Sequence, residues 1–161
     1  MQILILYHSN TGTTQKIAAE IAKGVQRTPD ITCILKSTEE VSEEDLINSD
    51  GIIAGSPSYL GTMSSELKSI FDNNIHLRSK MKNKLGAAFS CAACQGGGTE
   101  TTIFSIIQAM LTYGMIISGN PQLTAGNFGA TCVGTPEQQD LKNALIFGEN
   151  VSLIVKKYYS S

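Results

Sequence analysis

The hydrophobic pattern alternates between two periods along the chain. Ile3-Leu4-Ile5-Leu6 is a continuous apolar run, the mark of a strand buried on both faces. In the following SNTGTTQKIAAEIAKGV, Ile17, Ala18, Ile21, Ala22 and Val25 share one helical face. Ile31 to Leu35 predicts a second strand, and the acidic STEEVSEEDL one short helical turn. Gly51 to Ala54 predicts a third strand, followed by a loop and a helix carrying Leu67, Ile70 and Phe71. Leu85 to Ser90 predicts a fourth. Ile103, Ile106, Ile107, Met110 and Leu111 then recur at helical spacing, with Gly114 as the C-terminal stop. Met115 to Ile117 predicts a fifth strand, and Gly119 to Gly134 a connection long enough to suggest function. The last helix should start with Thr135 as cap, Pro136 in the first position and Gln138 closing a capping box, and should bury Leu141, Ala144, Leu145, Gly148, Val151 and Val155.

Regular strand-helix alternation predicts an α/β sandwich, a central parallel sheet with helices on both faces. At 161 residues the expectation is a single domain over 1–161. A composition of 42% hydrophobic and 16% charged residues excludes a disordered chain or a coiled coil. A net charge of -2 without a Lys/Arg run speaks against nucleic acid as a partner. The N-terminus has no basic region or small-residue cleavage site, and no apolar stretch is long enough to span a membrane. The expected compartment is therefore the cytoplasm, with Cys33, Cys91, Cys94 and Cys132 as thiols.

In open parallel sheets the chemistry gathers at the carboxyl ends of the strands. After the first strand, Ser9, Asn10, Thr11, Gly12, Thr13 and Thr14 lead into a helix. Helix N-terminal N–H groups and this many hydroxyls suit a phosphate dianion; the alternative is a Ser/Thr-rich helix cap with no ligand. A Walker A loop is excluded, since no Gly-Lys-Ser/Thr follows. After the third strand, Pro57, Ser58, Tyr59, Leu60 and Gly61 offer an aromatic and an apolar side chain to a planar ring, or merely cover the sheet edge. After the fourth, Cys91, Ala92, Ala93, Cys94, Gln95, Gly96 and Gly97 let backbone approach a ligand closely.

These three loops, in this order, resemble the flavodoxin-like FMN-binding family. SNTGTT resembles its phosphate loop, and GSPSYLGTMSSELKSIFD with FSCAACQGGGTETTIFSIIQAMLTYGMII is closer still to the NAD(P)H:quinone oxidoreductases of the Trp-repressor-binding-protein type. The resemblance implies a flavodoxin-like three-layer sandwich, with a five-stranded parallel sheet in the order 2-1-3-4-5. It implies FMN as cofactor and NAD(P)H as electron donor. Residues 9 to 14 would hold the phosphate, residues 57 to 61 would border the isoalloxazine, and residues 91 to 97 would line its pyrimidine and ribityl side. The flavin carries the chemistry, so no catalytic side chain is expected. Three departures fall on the acceptor side. The chain lacks an insertion between strands two and three that helps build the branch's oligomer and roof its acceptor pocket. Tyr59-Leu60 stand for an Arg-Phe pair, and Tyr113 stands for a His.

Cys91 and Cys94 form a CxxC, read as small residues lining the flavin loop or as a redox pair. Zinc is not expected, because the other Cys and His are scattered. His8 is expected to be exposed at a strand end and His76 on the surface; Cys33, Cys132, Met63 and Met110 read as packing residues. A receiver domain lacks its acids here, and a Ser hydrolase lacks G-x-S-x-G. Two functions follow: an FMN-dependent oxidoreductase passing electrons from NAD(P)H to a quinone or similar small acceptor, or a flavodoxin-type single-electron carrier docking on redox partner proteins. The weak net charge disfavours the carrier, whose family members are typically acidic for steering. A homo-oligomer is left open.

Overall fold

The computed structural model describes residues 1–120 and 126–159. Its order is β1 (Gln2–Tyr7), α1 (Thr13–Val25), β2 (Thr32–Ser37), α2 (Glu43–Asn48), β3 (Gly51–Pro57), α3 (Ser65–Asn73), the short α4 (Arg78–Met81), β4 (Leu85–Ala92), α5 (Thr99–Thr112), β5 (Ile116–Ile117), β6 (Ala130–Val133) and α6 (Gln138–Tyr159). The strands pair in parallel as β2-β1-β3-β4-β5, the order expected from the resemblance.

Side-chain alternation along β1 divides the core between two layers. Ile3, Ile5 and Tyr7 join Ile17, Ile21, Val25, Phe147 and Val151 beneath α1 and α6. Leu4 and Leu6 join Leu67, Phe71, Ile103, Ile106 and Met110 beneath α3 and α5. The strand order reverses beside β1, so the loops after β1 and β3 open together at one sheet edge.

Several expectations are corrected. Strand two runs from Thr32 to Ser37, later than Ile31 to Leu35, because it takes its register from β1. The acidic turn is a full α2, closed by Ser42 and Asp45 as a capping box. Leu111 is exposed, while Phe147 is a fully buried member of the α6 stripe that the periodicity passed over. The fifth sheet position is filled in two parts. β5 pairs with Leu85 and Gly86, and β6 pairs with Phe89 to Ala92 on the same strand. The Gly119 to Gly134 segment is thus not a connection after the sheet. It leaves the fifth position and returns to it as β6; residues 121–125 lie outside the described residues. Thr135 does not cap the last helix. Asp140 Oδ2 accepts from the Glu137 backbone N–H at 2.9 Å, so α6 is closed at Glu137.

Candidate functional site

The β1–α1 loop ends in an unusual helix start. The N-cap of α1 is Gly12, at φ 87°, and no side chain caps the helix. Ser9 Oγ instead accepts from Gly12 N–H at 3.1 Å, tightening the loop. Among the described residues, the N–H groups of Thr13, Thr14 and Gln15 have no acceptor. The hydroxyls of this loop are therefore not spent on capping. The first turn offers unpaired donors and the positive end of the helix dipole.

A cleft of about 380 Å³ opens in front of that turn, within the range of small-ligand sites. The first loop contributes Ser9, Asn10, Thr11, Thr13 and Thr14; the second Pro57, Ser58 and Tyr59; the third Cys91, Ala92 and Ala93. Gly134 and Thr135 complete it from the end of β6. Sequence periodicity, which ends the fifth strand at Ile117, gives no sign of those two. An eight-residue apolar-to-small run ending at Ala92, with a second short run ending at Val133, was the available signal.

The loops are tied to one another across the opening. Asn10 Nδ2 donates to Tyr59 Oη at 2.8 Å. Ser58 Oγ donates to the Gly97 carbonyl at 2.6 Å and receives from Thr102 Oγ1 at 2.9 Å. Gly98, at φ 84°, is the N-cap of α5, and a Cβ there would stand 2.8 Å from Gly61 Cα. Only glycine lets the second and third loops touch there.

Of the expected site residues, Gly12, Leu60, Gly61, Cys94, Gln95, Gly96 and Gly97 do not line the cleft. Gly12 sets the helix start, Gly61 the loop contact. Leu60 is fully exposed and has φ 53°, at the tip of a tight turn in which Tyr59 and Thr62 exchange backbone hydrogen bonds. The N–H groups of Leu60 and Gly61 are unpaired among the described residues and free to meet a ligand edge. Cys94 is exposed in the third loop and Cys91 is buried at the end of β4, so the CxxC is split between two environments. Cys91 instead faces Cys132 in register.

His8 is buried, contrary to the expectation. Its Nδ1 lies 3.4 Å from Thr38 Oγ1, its Nε2 3.6 Å from Glu66 Oε2, and Tyr59 covers it edge-on. The Glu66 carboxyl is held below its ordinary range by a backbone N–H of its own helix turn, with a further contribution from His8. Tyr113 is buried away from the cleft, where its hydroxyl donates to the Phe71 carbonyl. His76 is on the surface beside Glu43. Cys132, Met63 and Met110 are buried packing residues, and Cys33 is half-buried. No group of His, Cys, Asp or Glu suited to a metal ion occurs among the described residues. No helix among them is long and apolar enough to cross a membrane.

The family model described as NADPH-dependent FMN reductase matches residues 33–130. A NAD(P)H dehydrogenase (quinone) from Archaeoglobus fulgidus is 31% identical, covering 97% of this chain and 98% of that protein. Its alignment runs over 187 positions against 161 residues here, so that relative carries additional segments. A flavodoxin from Clostridium saccharobutylicum is 32% identical over 165 residues, covering 99% of this chain and all of that protein. Among solved structures, a flavodoxin described as a WrbA-like protein from Agrobacterium tumefaciens superposes with TM-score 0.83 at 21% identity, over 98% of both chains.

Proposed function

We propose, for a chain that belongs to the NADPH-dependent FMN reductase family, an FMN-dependent oxidoreductase that passes electrons from NAD(P)H to a quinone or similar small acceptor. The observation that carries the FMN reading is the uncapped α1 N-terminus facing a cleft of matching size. The donor set fits the group. A phosphate would be held by the N–H groups of Thr13, Thr14 and Gln15 and the hydroxyls of Ser9, Thr11 and Thr13, without a cation. When bound, FMN supplies the electron transfer.

The chain's own residues bind and orient. Asn10 holds the Tyr59 hydroxyl, which fixes the tyrosine ring at the cleft wall. Ser58 and Thr102 fix the third loop against the second, so that Ala92 and Ala93 at the cleft wall would be held in place beside the bound group. The Leu60–Gly61 turn has two further unpaired N–H donors that could meet a bound group at the mouth of the cleft. A wider groove of about 760 Å³ between α3 and α5 shares Tyr59 with the cleft and is walled by Met63, Phe71 and Tyr113. This reading puts the approach of an apolar acceptor on that side, beside Tyr59.

One observation favours a second reading. The flavodoxin relative matches this chain end to end with almost no extra length. A single-electron carrier would use the same cleft and dock a redox protein at its mouth. The test is anaerobic. FMN-loaded protein that loses its yellow colour on addition of NADPH or NADH, and regains it with a quinone, supports the reductase. Protein that ignores the nucleotides but is reduced by dithionite and reoxidised by a redox protein supports the carrier. Protein that takes up no FMN overturns both.

A further inference from the structure

The residue that the CxxC spacing paired with Cys94 has a nearer partner. Cys91 and Cys132 are Cα partners on the parallel strands β4 and β6. Both side chains point to the same face, in the layer beneath α1 and α6. Neighbouring strands lie about 4.8 Å apart, inside the span that a disulfide bridges. Both are free thiols, 4% and 1% exposed. The Cys91 side chain also meets Thr14 in the first turn of α1, and Cys132 Sγ lies 3.9 Å from Asp140 Oδ2. Cys91 and Thr14 both line the cleft. A row of buried Thr14, Cys91 and Cys132, ending at the half-buried Asp140, thus runs from the α1 end of the cleft to the start of α6.

We propose that Cys91 and Cys132 are an oxidisable thiol pair whose disulfide weakens the hold of the β1–α1 loop on its ligand. The oxidant is a hydroperoxide. Cys132 gives its proton to Asp140, and its thiolate attacks the terminal peroxide oxygen. The O–O bond breaks, an alkoxide or hydroxide leaves and takes the proton, and a sulfenic acid forms. The Cys91 sulfur then attacks that sulfur, the S–O bond breaks and water leaves. Two thiols lose two electrons and the peroxide gains two, giving a disulfide, an alcohol and water.

The geometry supports the order of events. Cys132 ionises more readily than its partner, because the Cys91 side chain donates to its sulfur; Cys91 is pushed up as that donor and by burial. The Asp140 carboxylate opposes that ionisation by its charge, but its Oδ2 accepts from the Cys132 thiol and is placed to take the proton as the sulfur attacks. Once the disulfide forms, the Cys91 sulfur is drawn towards Cys132 and accepts less well from the Thr14 hydroxyl, and β4 is tied to β6 where Gly134 and Thr135 border the cleft. The effect on ligand binding rests on the FMN reading above; the disulfide itself does not.

The test uses the full chain, with hydrogen peroxide as the probe. After oxidation and denaturation, titration should find two thiols fewer than the four cysteines, and peptide mapping should join Cys91 to Cys132. Cys94→Ser should keep that link and Cys132→Ser should lose it. Four retained thiols, a link between Cys91 and Cys94, or oxidation of Cys94 alone would overturn the proposal, and the wild-type map decides this even if a variant fails to fold. Titration of reduced and oxidised protein with FMN should then show about tenfold weaker binding after oxidation, reversed by dithiothreitol. Equal affinity would overturn the coupling to the loop. Reduced protein that binds no FMN, alongside the expected map, would refute the cofactor reading and the coupling but leave the thiol pair standing.

Discussion

Gly148→Ala sets two known effects against each other. Gly148 lies inside α6, where alanine gains about 1 kcal/mol of helix propensity. A Cβ at this position, however, would stand 2.1 Å from the Ile21 carbonyl oxygen of α1, about 1.3 Å inside ordinary contact. The obstacle is backbone in a packed helix, and no side-chain rotation relieves it. The helices must part, which loosens Ile17, Ile21 and Val25 against Phe147 and Val151. Overpacking against a backbone that cannot rotate away costs about 3 kcal/mol, at the upper end of the usual range. Subtracting the propensity gain leaves a loss of about 2 kcal/mol, or about 4–8 °C in Tm for a domain of this size. Thermal melts followed by circular dichroism measure it directly. A Tm equal to or above wild type would refute the reasoning, because it would mean that α1 and α6 do not meet as closely as the carbonyl contact requires. Since α1 carries Thr13 and Thr14, the same variant should also bind FMN more weakly.

Thr13→Val removes a hydroxyl from the cleft wall where the FMN phosphate is proposed to sit; losing one hydrogen bond to a charged group costs about 1.5–3 kcal/mol, so FMN affinity should fall at least tenfold by fluorescence titration. Leu60→Gly relieves a positive φ at a fully exposed side chain, and should raise stability by about 0.5–1 kcal/mol, seen as a higher denaturant midpoint at unchanged slope. Asp45 is pulled two ways: burial raises its pKa, but hydrogen bonds from Lys36 and Ser42 outweigh this and hold it below the usual value. Its contribution is therefore present above the ordinary Asp pKa of about 3.9 and lost as pH falls through the lowered folded value. Asp45→Asn should cost about 1 kcal/mol at neutral pH, at the level of a lost helix cap, and the difference from wild type should shrink in acid; a difference that persists unchanged at low pH would refute it.

The sheet was legible because its strands are short continuous apolar runs and its helices carry clear stripes, and burial is what both patterns report. The first loop stands out for a related reason: a concentration of Ser, Thr, Asn and Gly between a buried strand and an amphipathic helix has few structural uses, and the structure leaves its helix start without a side-chain cap. His8 was misjudged because its position at a strand end says nothing of what lies over it. Thr38, Glu66 and Tyr59 bury it from three other elements. The first half of the fifth position is legible at Met115 to Ile117, but the four-residue Ala130–Val133 is too short to announce a strand, and only pairing with β4 makes it the continuation of that position.

The sequence by itself determined the alternation of strands and helices, the parallel sheet and the first loop, since these follow from local periodicity and residue chemistry. The tertiary structure decided which thiols meet, which glycines let backbones touch and which residues close the cleft. Those depend on register between strands that are distant in the chain. Spacing along the sequence pointed to Cys94 as the partner of Cys91, whereas pairing across the sheet brought Cys132, forty-one positions on.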